Sequence, residues 1–324
     1  MEKKPVVVGV DIGGTNTVFG FVDREGNIVA EDRLKTNHYS DIKDFVASLY
    51  EKIMQVYKKI ESGHEIIGFG IGAPMGNINK GTIEHAADLP WKGVIPLSDI
   101  LSSHTPLPRI VTNDANAAAV GEMVYGGAKG MKDFVVITLG TGLGSGFVVD
   151  GKLVYGHDGF AGEIGHTSIR PGESNRDCGC GKKGCIETYA SATGLKRTLL
   201  KVMADSIEPS PLRKFSFEEL DAKIIHDAAL QGDHIAIGAF EHTGKMLGFK
   251  LADVVAHTNP EAIFLFGGLA LARDLIFEPT RRYMEQNLLS IYRGKVKLLE
   301  SELSTQNAAV LGASSLIWSV KEHQ

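Results

Sequence analysis

No stretch of this sequence is long and apolar enough to cross a membrane. The nearest, Phe134 to Val149, is broken by glycines and falls short of the roughly 18 to 20 uninterrupted apolar residues a spanning helix needs. The apolar run that precedes Asp11, Val6 to Val10, is also too short for the core of a secretory signal, so a cytoplasmic protein is expected. Positive charge does not predominate. The net charge is -5 and no basic run exceeds a few residues, which argues against nucleic acid or an anionic membrane surface as partner. Two common nucleotide signatures are missing. There is no Gly-x4-Gly-Lys-Ser/Thr, and the glycine turns at 11–16 and 140–144 are each followed by a strand where a dinucleotide fingerprint needs a helix. Cysteine is nearly absent, with only three in 324 residues.

Those three fall within eight residues, as Cys178-Gly-Cys180-Gly-Lys-Lys-Gly-Cys185, and His166 lies twelve residues before the first. Three cysteines and a histidine complete a tetrahedral zinc set of the closed, structural kind, and the intervening glycines let the backbone wrap an ion. The competing reading is three buried thiols of a reducing compartment. Glu163 sits three residues before His166 and Glu187 two after Cys185, so a metal here would fix two carboxylates. Glu163, Glu173, Asp177 and Glu187 also make the segment too acidic for a nucleic-acid zinc knuckle.

Glycine is abundant, 38 residues against a usual share of about 7%, and it gathers in a few loops. Val6 to Val10 and Thr17 to Val22 read as strands around Asp11-Ile-Gly-Gly-Thr-Asn16. Phe134 to Leu139 and Ser145 to Val149 repeat that plan around Gly140-Thr-Gly-Leu-Gly144. Between them, Ser40-Asp41 opens a helix whose Ile42, Phe45, Val46, Leu49, Ile53, Tyr57 and Ile60 share one face. Strand 109–112 runs into Asn113-Asp114 and an alanine-rich helix reaching about Tyr125. Ser216 to Glu219 reads as a capping box. A long helix from about His234 to His257 precedes Asn259-Pro260, then strand 261–266 ends in Gly267-Gly268. A last helix over about 308–320 shows Ala313, Leu316, Ile317 and Val320 on one face. Alternating strands and helices make the class α/β, and the length suits about two domains.

A turn rich in glycine and threonine offers successive N–H groups to an anion with no Cβ in the way. Neither glycine turn contains lysine or arginine, so a polyphosphate held there needs a divalent cation, and Asp11 is placed to hold hydrated Mg2+. Asp114, at a helix N-terminus, reads from spacing alone as an N-cap, and the helix dipole there favours its ionised form.

Asp11-Ile-Gly-Gly-Thr-Asn16, Asn113-Asp114-Ala-Asn-Ala117, Leu139 to Gly144, Gly162-Glu-Ile-Gly-His166, Cys178 to Glu187 and Phe266-Gly-Gly268 together resemble the ROK family of bacterial sugar kinases, in order and over nearly the whole chain. The resemblance implies an actin-like ATPase fold of two ribonuclease-H-like lobes with a central cleft. Residues 1–113 plus 308–324 would form the smaller lobe, and 114–307 the larger, with the zinc site and the adenosine side. It implies an ATP-dependent enzyme that converts a hexose, glucose first, to its 6-phosphate. N-acetylmannosamine, N-acetylglucosamine, fructose and allose stand as alternatives. Asp114 would be the catalytic base. Asn113, Asp114, Glu163, His166 and Glu187 would hold the sugar, and His166 would also share a structural zinc with Cys178, Cys180 and Cys185. Gly13, Gly14, Thr15, Thr141 and Gly142 would line the phosphates beside Asp11, with Gly267 and Gly268 toward the adenosine. A homodimer is implied as well. A sugar-sensing regulator is the other function on this fold, but such regulators carry a DNA-binding segment before a body that here starts by Val6. The chain departs from the family at Asp88-Leu-Pro-Trp91, where asparagine is common at the first position. An aspartate there accepts hydrogen bonds but cannot donate them, which leaves the hexose open, along with any role for Asn77 or Asn79.

Overall fold

Val6, Val8, Val10 and Ile12 of strand β1 (Lys4–Ile12) are buried in one apolar cluster, while Val7 packs on the opposite face against Ile317 and Trp318. Side chains alternate along a strand, so a near-continuous apolar run means that both faces of the sheet are covered. This holds in a computed structural model that describes residues 3–169, 176–303 and 308–321. Glu173 and the side chain of Val320 lie outside what is described.

The chain divides into two compact units, one of Met1–Met131, Leu153–Gly162 and Glu302–Gln324, the other of Lys132–Lys152 and Glu163–Ser301. The expected boundary at 113/114 thus falls at 131/132. The reason is the helix that starts at Asp114, which packs on strands of the first unit and on the final helix.

In the first unit β1 pairs antiparallel with β2 (Asn16–Val22), which pairs antiparallel with β3 (Ile28–Lys35). Helix α1 (Ile42–Tyr57) follows, its N-terminus closed by Asp41, which accepts from the Lys43 amide at 2.6 Å. It buries Phe45, Val46, Leu49 and Ile53 as its period requires, but ends before Ile60, which packs from the turn beyond. Strand β4 (His64–Ala73) is parallel to β1. A small sheet of β5 (Gly76–Asn77), β6 (Thr82–Glu84) and β7 (Val94–Ile95) and a short helix α2 (Leu97–Ser102) then lead to β8 (Arg109–Asn113), parallel to β4, and to α3 (Asp114–Tyr125). The main sheet has the order β3-β2-β1-β4-β8.

The second unit repeats that plan. Strands β9 (Phe134–Leu139), β10 (Leu143–Val149) and β11 (Lys152–Leu153) come first, then helices α4 (Ala192–Asp205), α5 (Ala222–Leu230) and α6 (His234–Thr258). Strand β12 (Ala262–Phe266), helix α7 (Asp274–Asn287) and β13 (Lys297–Glu300) complete it, in the sheet order β11-β10-β9-β12-β13. In each sheet an antiparallel glycine-turn hairpin, β1-β2 or β9-β10, joins two strands that run parallel to its first. This is the ribonuclease-H-like topology, twice, and the fold is that of the actin-like ATPases.

Two details depart from the expectations. Ser216 and Glu219 do exchange the bonds of a capping box, Glu219 Oε2 accepting from the Ser216 amide at 2.8 Å, yet they close a turn. Helix α5 begins later, with Asp221 as its cap. The chain's return helix, α8 (Ala308–Lys321), is buried well beyond one apolar face, because it lies between the sheet and α3. Its Ser314 and Ser315 are fully buried and donate their hydroxyls to the carbonyls of Leu311 and Gly312.

Gly9 of β1 and Gly70 of β4 are cross-strand partners, and α8 rests on them so closely that a Cβ would overlap the carbonyls of Val310 and Ala313 respectively. Backbone cannot step aside as a side-chain tip can. Gly70→Ala should therefore cost about 1–3 kcal/mol, the usual penalty for overpacking. A urea midpoint equal to that of the wild type would refute this packing.

Candidate functional site

Parallel strands deliver their carboxyl ends to one edge of a sheet, where ligands of open α/β sheets bind. In the first unit the register sets Asp11 of β1 opposite Gly72 of β4, and Ala73 opposite Asn113 of β8. Asp11 and the Asn113-Asp114 pair therefore share that edge. The turn after β1 is closed by the Gly13 amide donating to the Asn16 carbonyl at 3.0 Å, and its Thr15 carbonyl accepts from the Thr36 amide. Gly14 lies against Asp88, whose carbonyl a Cβ at position 14 would overlap.

The true N-cap of α3 is Asn113, whose Oδ1 accepts from the Ala115 amide at 2.8 Å. Asp114 is the first helical residue and accepts from the same amide. Its carboxylate can be reached from solvent, while the surrounding protein displaces most of its water shell. That burial raises its pKa. The backbone amides of Ala115 and Asp114 pull it down and Asp88 pushes it up again. Desolvation outweighs the helix terminus, contrary to the expectation from the dipole alone. Asp11 is raised to about 7, by burial first and then by the charge of Asp114. Asn77 and Asn79 have structural work. Asn77 Oδ1 accepts from the amides of Asn79 and Lys80, its Nδ2 donates to the Asp158 carbonyl at 2.6 Å, and Asn79 donates to the His157 carbonyl. The pair latches segment 153–162 to the small sheet.

In the second unit the turn 140–144 and the Gly267-Gly268 pair come together, since the Leu269 amide donates to the Leu139 carbonyl at 3.1 Å. Gly267, at φ 101°, packs on the Leu139 backbone, a conformation and an approach that suit glycine alone. Glu163 precedes a short 3-10 turn, Ile164–His166, and Glu187 lies on another, Ile186–Thr188. Thr141 and Gly268 are exposed at these turns, and Gly142 is half-buried.

His166, Cys178, Cys180 and Cys185 bring their donor atoms within 4.8 Å of one another. Cys180 and Cys185 sulfurs are 3.7 Å apart, and Cys178 Sγ is 3.6 Å from His166 Nδ1. A tetrahedral zinc with ordinary bond lengths requires edges of about 3.8 Å between sulfurs and about 3.6 Å from sulfur to nitrogen. Those two edges have that size. Burial, with the neighbouring cysteine sulfurs, pushes the Cys178 thiol up to about 12, while Cys180 is shifted downward, so the three thiols of the cluster do not hold their protons equally. The knuckle has fasteners that motif spacing does not reveal. Lys182 donates to the His166 carbonyl at 2.7 Å. Arg176 donates to the carbonyls of Thr188 and Gly194 and to Thr198, and lies 4.4 Å over the Tyr189 ring. A lone arginine has no sequence signature for such a task.

The sequence profile of the ROK family matches residues 7–320. The chain belongs to the ROK family. Among its relatives, a glucokinase of Halalkalibacterium halodurans is 36% identical over 98% of this chain and 95% of its own length. A glucokinase of Streptomyces coelicolor is 34% identical over 96% of this chain and 97% of its own. Among solved structures, that of a ROK family glucokinase from Streptomyces griseus, in complex with glucose and AMPPNP, is 33% identical. It covers 96% of this chain and 98% of its own, with a TM-score of 0.80.

For this ROK-family chain, the raised pKa of Asp11 has a sign that can be tested. Its carboxyl stays protonated in the folded state up to about pH 7 but ionises near pH 4 in the unfolded chain. The unfolded state binds fewer protons in that window, so stability falls as pH rises through it. Asp11→Asn should melt a few degrees higher than wild type at pH 7.5 without magnesium or nucleotide, and equally at pH 4. A melting difference of the same size at both pH values would reject the burial of this charge.

Proposed function

We propose that this chain is an ATP-dependent hexose kinase whose substrate is glucose, phosphorylated on its 6-hydroxyl. The observation that carries this reading is Asp114, a desolvated carboxylate still open to solvent, set beside Asp11 at the carboxyl edge of a ribonuclease-H-like sheet. Full-length similarity to glucokinases supports it.

Asp114 accepts the hydrogen bond of the sugar hydroxyl and takes its proton as that oxygen bonds to the γ-phosphorus and the bond to the β-phosphate oxygen breaks, releasing ADP. Its raised proton affinity suits a late transfer. Gly13, Gly14, Thr15, Thr141 and Gly142 present backbone and hydroxyl donors to the phosphates, and Gly267 with Gly268 leaves room for adenosine. Asp11 is the residue to hold hydrated Mg2+, which when bound offsets phosphate charge that no lysine or arginine of these turns can meet. Asn113, Glu163, His166 and Glu187 take sugar hydroxyls. Zinc, held by His166, Cys178, Cys180 and Cys185, is structural. It keeps Glu163 and Glu187 in place and performs no Lewis-acid chemistry.

A coupled assay of ADP release over a hexose panel tests the substrate. Glucose should lead, and any other hexose tenfold better in kcat/KM would overturn the assignment. Asp114→Asn should lower kcat by about 10²- to 10⁴-fold with glucose affinity little changed; near-normal turnover would reject the base. Removing zinc with a chelator should weaken glucose binding measured by calorimetry. Unaltered affinity in metal-free protein would mean that the knuckle does not shape the sugar site.

A further inference from the structure

The turn 140–144 is held from outside its own hairpin. At one end the Ala192 amide, from the start of α4, donates to the Gly140 carbonyl at 2.9 Å. At the other, the Leu143 amide donates to Glu187 Oε2 at 3.0 Å. Gly165, on the Ile164–His166 turn, lies so close that a Cβ would overlap the Leu143 carbonyl, so residue 143 is gripped by both acidic segments of the second unit, at its amide by one and at its carbonyl by the other. Gly142 rests on the Glu187 carboxylate, and a Cβ there would overlap Oε2. That atom is the tip of a flexible side chain and could swing away. What Gly142→Ala removes is therefore the bond from Glu187 to Leu143 more than the space itself.

We propose that Glu187 is a positioning residue for the phosphate turn as well as a sugar ligand. Oε2 is committed to the Leu143 amide and sets how the turn presents its remaining N–H groups. Oε1 accepts from the Cys178 thiol at 3.8 Å, a bond that would be given up if that sulfur ligated a metal, leaving Oε1 for the hexose. The Gly142 position is glycine so that this carboxylate can pass beneath the turn. The proposal rests on the kinase reading, in which the turn holds nucleotide phosphates.

ADP binding measured by calorimetry without sugar tests it, because the sugar contact of Glu187 then does not enter. Glu187→Ala should weaken ADP roughly tenfold, the scale of a hydrogen bond to a charged group. Glu187→Gln, whose amide oxygen can still accept from Leu143, should stay within about threefold of wild type. Gly142→Ala should cost roughly tenfold in the wild-type background and under about twofold on top of Glu187→Ala, since both remove one bond. Equal losses in the two backgrounds, or an unchanged Glu187→Ala, would overturn the role. Far-UV dichroism checks folding; should Glu187→Ala not fold, Glu187→Gln retained against Gly142→Ala lost decides the same question. If the wild type binds no ADP, the kinase reading fails by itself. Hydrogen exchange at the Leu143 amide then decides the positioning role, with faster exchange in Gly142→Ala than in Glu187→Gln supporting it and equal exchange overturning it.

Discussion

Neither glycine turn carries a lysine or arginine, and within each unit the surroundings of the turn answer to that constraint. A turn without lysine or arginine would have to hold a polyphosphate through backbone N–H groups and hydroxyls, with a cation meeting the charge, and such neutral donors are weak unless several are oriented at once. Orientation must then come from the surroundings. In the first unit Gly14 is seated against Asp88, and the Gly13 amide closes on Asn16. In the second, Ala192, Glu187 and the packing of Gly165 do the same for 140–144. The hairpins are alike, but their anchors differ.

Carboxylates accumulate where those anchors are needed, and their mutual repulsion is not hidden. Burial raises both Asp11 and Asp114, with the charge of Asp114 adding to the first and that of Asp88 to the second, so Asp11 titrates near neutrality and Asp114 is displaced upward. An arrangement of this kind is poor for the stability of the free protein. On the kinase reading proposed above, a divalent cation and a proton-donating hydroxyl would make it favourable, which is how desolvated functional groups commonly trade stability for chemistry.

Much of this was legible in the sequence because it is local. The two glycine hairpins, the Asp41 cap of α1, the helix from His234 and the cysteine knuckle each lie within a short window, where spacing alone fixes which side chains meet. What spacing could not supply were relations across the chain. The capping box at Ser216 forms its bonds without starting a helix, since Asp221 offers a better cap ahead of the apolar face of α5. Asp114 was read through the helix dipole, whereas its titration is governed by how much protein surrounds it, a quantity that depends on residues far away in sequence. Arg176 and the strut from Glu187 to Leu143 join segments tens of residues apart and leave no local mark.

The cysteine knuckle shows why a metal suits this position. Among its described residues, segment 163–187 has few buried apolar side chains beyond Ile186, although on the kinase reading it would have to hold Glu163 and Glu187 steady. A helix or strand would fix them by burying a face, but these residues sit on single 3-10 turns. A tetrahedral ion closes several short loops at once and couples its binding energy directly to the order of the segment. Because the Glu187 carboxylate lies against Cys178 on one side and the Leu143 amide on the other, order gained at the knuckle would be delivered to turn 140–144 through one side chain.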